Sequence, residues 1–194
     1  LAGTQVEIMD VNGQMLYIKR KPVDSRTIHF GLLIQNQFTH SSVIIRKDAF
    51  EKIGGYENDF LYAEDYRLYT KLVETGGATT IDEVLTRFRM QDQSATRVSS
   101  SQQIQLKNYI QALALNIGKY IPATTETAFL IFNFVNVRLS PLAMISAILL
   151  LRRLARVYKQ KNSLTQDDCT KIDVILKNTV KIGVTNKIKK LIRY

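Results

Sequence analysis

The chain has 194 residues, 45% of them hydrophobic, enough to bury a substantial core as one domain or one and a half. Twenty-seven Lys and Arg against 17 Asp and Glu give a formal net charge of +10, and the single cysteine, Cys169, excludes an intrachain disulfide and fits a reducing compartment. No Cys/His group has zinc spacing, and there is no Gly-rich phosphate loop of the Walker or dinucleotide type, no low-complexity tract and no repeat.

Residues 6–11 and 14–18 are strand-like and flank Asn12-Gly13, a pair that tolerates positive φ, so a hairpin is expected there. Residues 38–46 read as another strand, turning apolar at its end. Asp48 then N-caps a short helix over 48–53, and Gly54-Gly55 stops it, because glycine enters the left-handed region without steric cost. Leu61-Tyr62-Ala63-Glu64-Asp65 sets an acidic pair at the mouth of the next helix, whose apolar stripe Leu68, Leu72 and Val73 runs to Gly76-Gly77. Residues 84–90 read as a strand. A carboxylate at a helix mouth is accessible and can take a proton from a bound substrate. It can equally serve the helix, with Asp65 as cap and Glu64 as favourable charge at the N-terminus. The helix pattern by itself favours the cap.

The order of strand, turn, acidic pair, helix and strand resembles the second half of the catalytic domain of family 2 glycosyltransferases, inverting enzymes of the GT-A fold. The resemblance covers residues 3–97, roughly half the chain. It is carried by His40-Ser41-Ser42 with Arg46, Gly54-Gly55-Tyr56, Tyr62-Ala63-Glu64-Asp65 and Phe88-Arg89. Each piece is common; the four in this order and spacing are not. The resemblance implies an α/β class, α+β in this stretch, with a partial GT-A mixed sheet and flanking helices over 1–98. It implies Asp65 as the general base that deprotonates an acceptor hydroxyl, with Glu64 shaping the acceptor site. His40, Gly54, Gly55, Tyr62, Arg89 and Gln91 are implied as acceptor- or substrate-binding positions, although a His beside two serines also suits a hydrogen-bonded structural role. The implied reaction moves a hexosyl unit from a nucleotide sugar to a glycan or lipid-linked acceptor, in polysaccharide biosynthesis at the cell envelope.

Two departures matter. Members of the family carry an Asp-x-Asp motif that holds a divalent cation against the sugar nucleotide's diphosphate, and no Asp-x-Asp occurs in this chain. Mg²⁺ or Mn²⁺ is therefore expected for a complete enzyme through a motif absent here, and no metal or cofactor is expected on this chain. Gln91 stands where the family often has a His that helps to hold metal or diphosphate, and Gln is a poor metal ligand. The opening Leu1-Ala2-Gly3 reads as mid-domain sequence, so the chain is expected to be part of a longer enzyme and inactive alone.

The second half differs in charge and pattern. Through residue 100 there are 12 Lys or Arg against 13 Asp or Glu; from 101 onward there are 15 against 4, so the basic excess lies there. A basic helical extension is expected over 99–194. Leu106, Ile110, Leu113 and Ile117 form an amphipathic stripe ended by Pro122, and a second helix is expected over 125–137. Ser140-Pro141 offers an N-cap and a first-turn proline for a helix over 142–160, and Thr165 to Asp168 opens another to about 180. Residues 187–193 place basic residues around an apolar stripe. The longest uncharged run, 139–151, is too short to span a bilayer. Residues 142–151, followed by Arg152, Arg153 and Arg156, suit either a buried bundle helix or peripheral contact with an anionic membrane; the expected location is cytoplasmic, with attachment at the membrane's inner face belonging to the second of these readings. Homodimerisation through the apolar helices is compatible with the enzyme reading and with its non-enzymatic competitor. The competing reading is a non-enzymatic interaction or nucleic-acid-binding module with a basic tail, but no aromatic-interleaved motif supports recognition of nucleic acid.

Overall fold

The computed structural model describes residues 1–91, 99–137 and 139–191, with the side chains of 99–100 and 186–191 outside the description. The tail end of the resemblance, to Arg97, and the basic stripe of 187–193 therefore lie outside the described residues. The class is α+β: among the described residues a three-stranded mixed sheet is followed and flanked by seven α-helices. The chain divides into two compact units, Leu1–Leu32 with Asn36–Ala112, and Leu33–Gln35 with Leu113–Tyr194. The division passes within a helix, after Ala112, and not at residue 98.

In the first unit β1 (Ala2–Met9) is the central strand, antiparallel to β2 (Met15–Lys19) and parallel to β3 (Thr79–Arg89). The expected hairpin is present. Asp10 Oδ1 accepts the N–H groups of Asn12 and Gln14 at 2.9 and 2.8 Å, and Gly13 sits at φ +85°. β3 begins five residues before the expected start, because its parallel pairing runs from Ala2↔Thr79 to Met9↔Arg89. Buried Gln5 is satisfied by the Lys21 backbone on both sides and by Asp82 Oδ1, which ties the chain after β2 to β3.

Residues 38–46 do not form the expected strand. Ser42 donates both its N–H and its hydroxyl to the Thr39 carbonyl, at 2.8 and 2.7 Å, which folds His40–Ser42 into a single 3-10 turn. Local side-chain bonding of this kind competes directly with strand pairing. Only Ile44 pairs, with Ala2, as an isolated bridge. The next helix, α2 (Lys47–Lys52), is also capped differently from the expectation: Arg46 occupies the cap, and Asp48 lies in the first turn against its guanidinium. α1 (Ser25–Leu32) and α3 (Glu64–Gly76) supply the core with Ile28, Phe30, Leu32, Tyr66, Leu68, Tyr69, Leu72 and Val73. The expected stripe of α3 is thus buried, and Gly77 at φ +73° ends the helix.

α4 (Ser99–Ile117) runs from the first unit into the second. Of its expected stripe, Ile110, Leu113 and Ile117 are buried while Leu106 is exposed. The second unit adds α5 (Thr125–Asn136), α6 (Pro141–Lys161) and α7 (Gln166–Leu191). Ser140 caps α6 as expected, accepting the Ala143 N–H at 3.3 Å. Thr165 and Asp168 make a reciprocal capping box at the start of α7. α7 continues past the expected end near 180. Among the described residues no single helix is long and apolar enough to cross a membrane.

Candidate functional site

The acidic pair occupies the first two residues of α3. It is reached through a tight turn: the Ala63 N–H bonds the Phe60 carbonyl at 2.8 Å, and Tyr62 adopts φ +65°. A bulky L-residue in the left-handed region costs about 1–2 kcal/mol, so the turn must be held from elsewhere. Two side chains of α4 hold it. Asn108 Nδ2 donates to the Leu61 carbonyl at 3.0 Å and Gln105 Nε2 to the Tyr62 carbonyl at 3.2 Å.

The N-cap position is Ala63, which makes no side-chain cap bond, and Asp65 lies in the first turn of the helix. Asp65 is half-buried and its two oxygens face different ways. Oδ1 accepts the Tyr66 N–H at 2.6 Å, and Oδ2 accepts Asn36 Nδ2 at 3.2 Å. Burial pushes its carboxyl above the ordinary range, opposed by the Tyr66 amide, His40 and Asn36 and reinforced by Glu64. Glu64 has one oxygen, Oε2, that is buried and accepts no hydrogen bond among the described residues. Helix N-termini favour negative charge, which explains how two adjacent carboxylates are tolerated. It does not explain an unsatisfied one.

Aromatic rings wall the pair. His40 Nδ1 and the Tyr69 hydroxyl are 2.8 Å apart. Burial, then Asp65, pushes the Tyr69 phenol up, so it stays protonated, and its hydroxyl can donate to Nδ1 or accept from it. Tyr56, half-exposed, meets the His40 ring edge-on at 6.3 Å between centroids and is also shifted up, by burial, Asp65 and Glu64. Gly54 and Gly55, at φ +81° and +67°, deliver Tyr56 to this position. A Cβ on Gly55 would lie 3.0 Å from the Phe50 ring, so that position also needs the space.

Of the residues expected from the sequence, the structure gathers Glu64, Asp65, His40, Tyr62 and the Gly54-Gly55 turn around α3. Arg89 and Gln91 lie at and just beyond the C-terminal end of β3 and are exposed. Among the described residues neither makes a hydrogen bond, ion pair or ring contact with the acidic pair. Four residues were not singled out from the sequence. Asn36 anchors Asp65, Tyr69 orients His40, and Lys19 and Lys21 bring positive charge. Lys19 Nζ donates to Thr39 Oγ1 at 3.2 Å, and burial lowers its pKa against the pull of Asp65. Lys21 Nζ approaches the Asn36 carbonyl at 3.4 Å; burial and then Lys19 lower it to about 8. Lys19 ends β2 and Lys21 follows two residues on, and that close pair of lysines was the available signal.

Among the described residues no group of three or more His, Cys, Asp or Glu could hold a metal ion. No protein-family model, curated protein or solved structure matches the chain.

Proposed function

We propose that this chain carries the acceptor side of an inverting glycosyltransferase of the GT-A type, with Asp65 as general base. The observation that carries the reading is the Asp65–Glu64 pair: a half-buried carboxylate with a raised pKa beside a buried carboxylate oxygen that has no donor among the described residues. A cap needs neither feature. In the proposed step the acceptor hydroxyl gives its proton to Asp65 as its oxygen bonds the anomeric carbon. The bond from that carbon to the diphosphate breaks on the opposite face, and the nucleoside diphosphate leaves with the electron pair. A raised carboxyl is the better base for an alcohol, and proton transfer concerted with attack removes the need for a free alkoxide. Glu64, beside Asp65, adds to the upward push on its carboxyl and so to its strength as a base. His40, held by Tyr69, and Tyr56 offer a polar edge and a ring face for the same sugar.

The cation that the resemblance implies finds no ligand set among the described residues, and the step above runs through Asp65 alone. Donor binding is assigned to residues outside this chain, since the Asp-x-Asp motif is missing from it. Hexosyl transfer to a glycan or lipid-linked acceptor, on the cytoplasmic side of a membrane, is the corresponding role. The test is nucleoside diphosphate release from a panel of sugar nucleotides by a protein that includes upstream residues, wild type against Asp65→Asn. A general base contributes about 10²–10⁴ in rate, and a fall of that size with folding retained is expected. Equal turnover by both proteins would exclude Asp65 as the base. Salt-steep binding of nucleic acid, untouched by Asp65→Asn, would favour the non-enzymatic module instead.

A further inference from the structure

We infer that the exposed face of α6 docks the chain onto an anionic lipid surface. Leu142, Ile145 and Leu149 are 75%, 56% and 59% exposed, and Arg152, Arg153 and Arg156 are exposed as well. At roughly 100° per residue all six fall within an arc of about 100°. The buried residues Ala147, Leu151, Leu154, Ala155 and Tyr158 occupy the opposite arc. A surface helix normally turns its polar side to water. Here the outward face is apolar for its first two turns and cationic for the next, and no acidic residue occurs anywhere on the helix.

The charge pattern chooses the occupant. Two copies of this face packed together would bury guanidinium groups from both chains with no carboxylate on either α6 to meet them, a costly arrangement. A soluble polyanion would satisfy the arginines and leave Leu142, Ile145 and Leu149 in water. A bilayer satisfies both. The three apolar side chains enter the acyl boundary while the arginine stems lie along it and their forked heads pair with lipid phosphates. The geometry is a helix tilted into the interface with its N-terminal end deeper, not one that crosses. This inference does not depend on Asp65 or on the proposed reaction.

Flotation of the 194-residue chain with phosphatidylcholine vesicles, with and without phosphatidylglycerol, tests it. Binding is expected to need the anionic lipid and to weaken with salt. Each basic residue near such a surface contributes about one factor of five, so Arg152→Gln, Arg153→Gln and Arg156→Gln together should lower partitioning about a hundredfold. Ile145→Ser with Leu149→Ser should lower it by at least about tenfold at unchanged helical circular dichroism. Equal binding to neutral and anionic vesicles would overturn the inference, as would no binding. A wild-type dimer that the double serine variant dissociates, without vesicle uptake, would assign the face to a second copy. Uptake of RNA that needs the arginines but not Ile145 and Leu149 would assign it to a soluble polyanion.

Discussion

Replacing Asp65 with Asn separates a helix cap from a working carboxylate by the sign of a pH effect. The substitution keeps an acceptor for the Tyr66 amide, which lies 2.6 Å from Asp65 Oδ1. It removes a negative charge from the first turn of α3, worth about 0.3–1 kcal/mol. It also sets two amide groups against each other where Asp65 Oδ2 takes Asn36 Nδ2 at 3.2 Å, a further loss of about 0.5–1.5 kcal/mol. Relief of the burial that disfavours the Asp65 charge acts in the other direction. The net change at neutral pH is then within about 2 kcal/mol. Linkage supplies the sign. The folded chain holds the Asp65 carboxyl above its ordinary range, so the folded state binds the proton more tightly than the unfolded state. Wild type carries the full cost of the buried charge above the folded pKa and sheds it as pH falls from there toward the unfolded value near about 3.9. The Asn variant has no charge to shed. Urea denaturation of both chains across pH should show wild type gaining on the variant as the solution is acidified. A carboxylate stabilised by the helix would have a lowered pKa and would instead lose ground below the unfolded value, as pH falls through the folded one. That result would refute the burial argument and return Asp65 to a structural role.

Three further changes probe the surroundings. Asn108→Ala removes the donor that holds the Leu61 carbonyl and should cost about 1 kcal/mol in urea denaturation, near the low end because that turn can be rehydrated; unchanged stability would show that the strained Tyr62 turn stands without α4. Lys21→Met should stabilise the chain at pH 7. Burial lowers the folded Lys21 pKa to about 8, so wild type bears the cost below that pH and recovers it as pH rises toward the unfolded value near about 10.4, which makes the benefit of Met fade in alkaline solution. A benefit that grew with pH would contradict this. In the second unit a Cβ on Gly183 would lie 2.6 Å from the Phe134 ring. Overpacking of about 1–3 kcal/mol outweighs the gain of about 1 kcal/mol in helix propensity, so Gly183→Ala should lower the melting temperature and Phe134→Leu should restore tolerance to it. Stabilisation by Gly183→Ala alone would show that the helices part freely.

What was legible from the chain itself were features set by neighbours in sequence. Asn12-Gly13 makes its hairpin, Ser140-Pro141 starts α6, Gly76-Gly77 stops α3, and Leu68, Leu72 and Val73 line the buried side of that helix. Each depends on backbone conformations and side-chain spacings within a few residues, where propensity and periodicity act directly. The acidic pair was legible as a position for the same reason. Its environment was not. Only tertiary structure brings Asn36 to Asp65 across 29 positions and carries Lys19 and Lys21 to the Asn36–Thr39 segment. It also lets Ala63 occupy the cap, and folds residues 39–42 back on a carbonyl instead of into the sheet. The burial that raises the Asp65 carboxyl depends on every element packed around it, and no local pattern encodes that sum. The same holds for α6: composition marks Leu142 to Leu151 as apolar, but which side faces the core is decided by what packs there, and that leaves Leu142, Ile145 and Leu149 outside with the arginines.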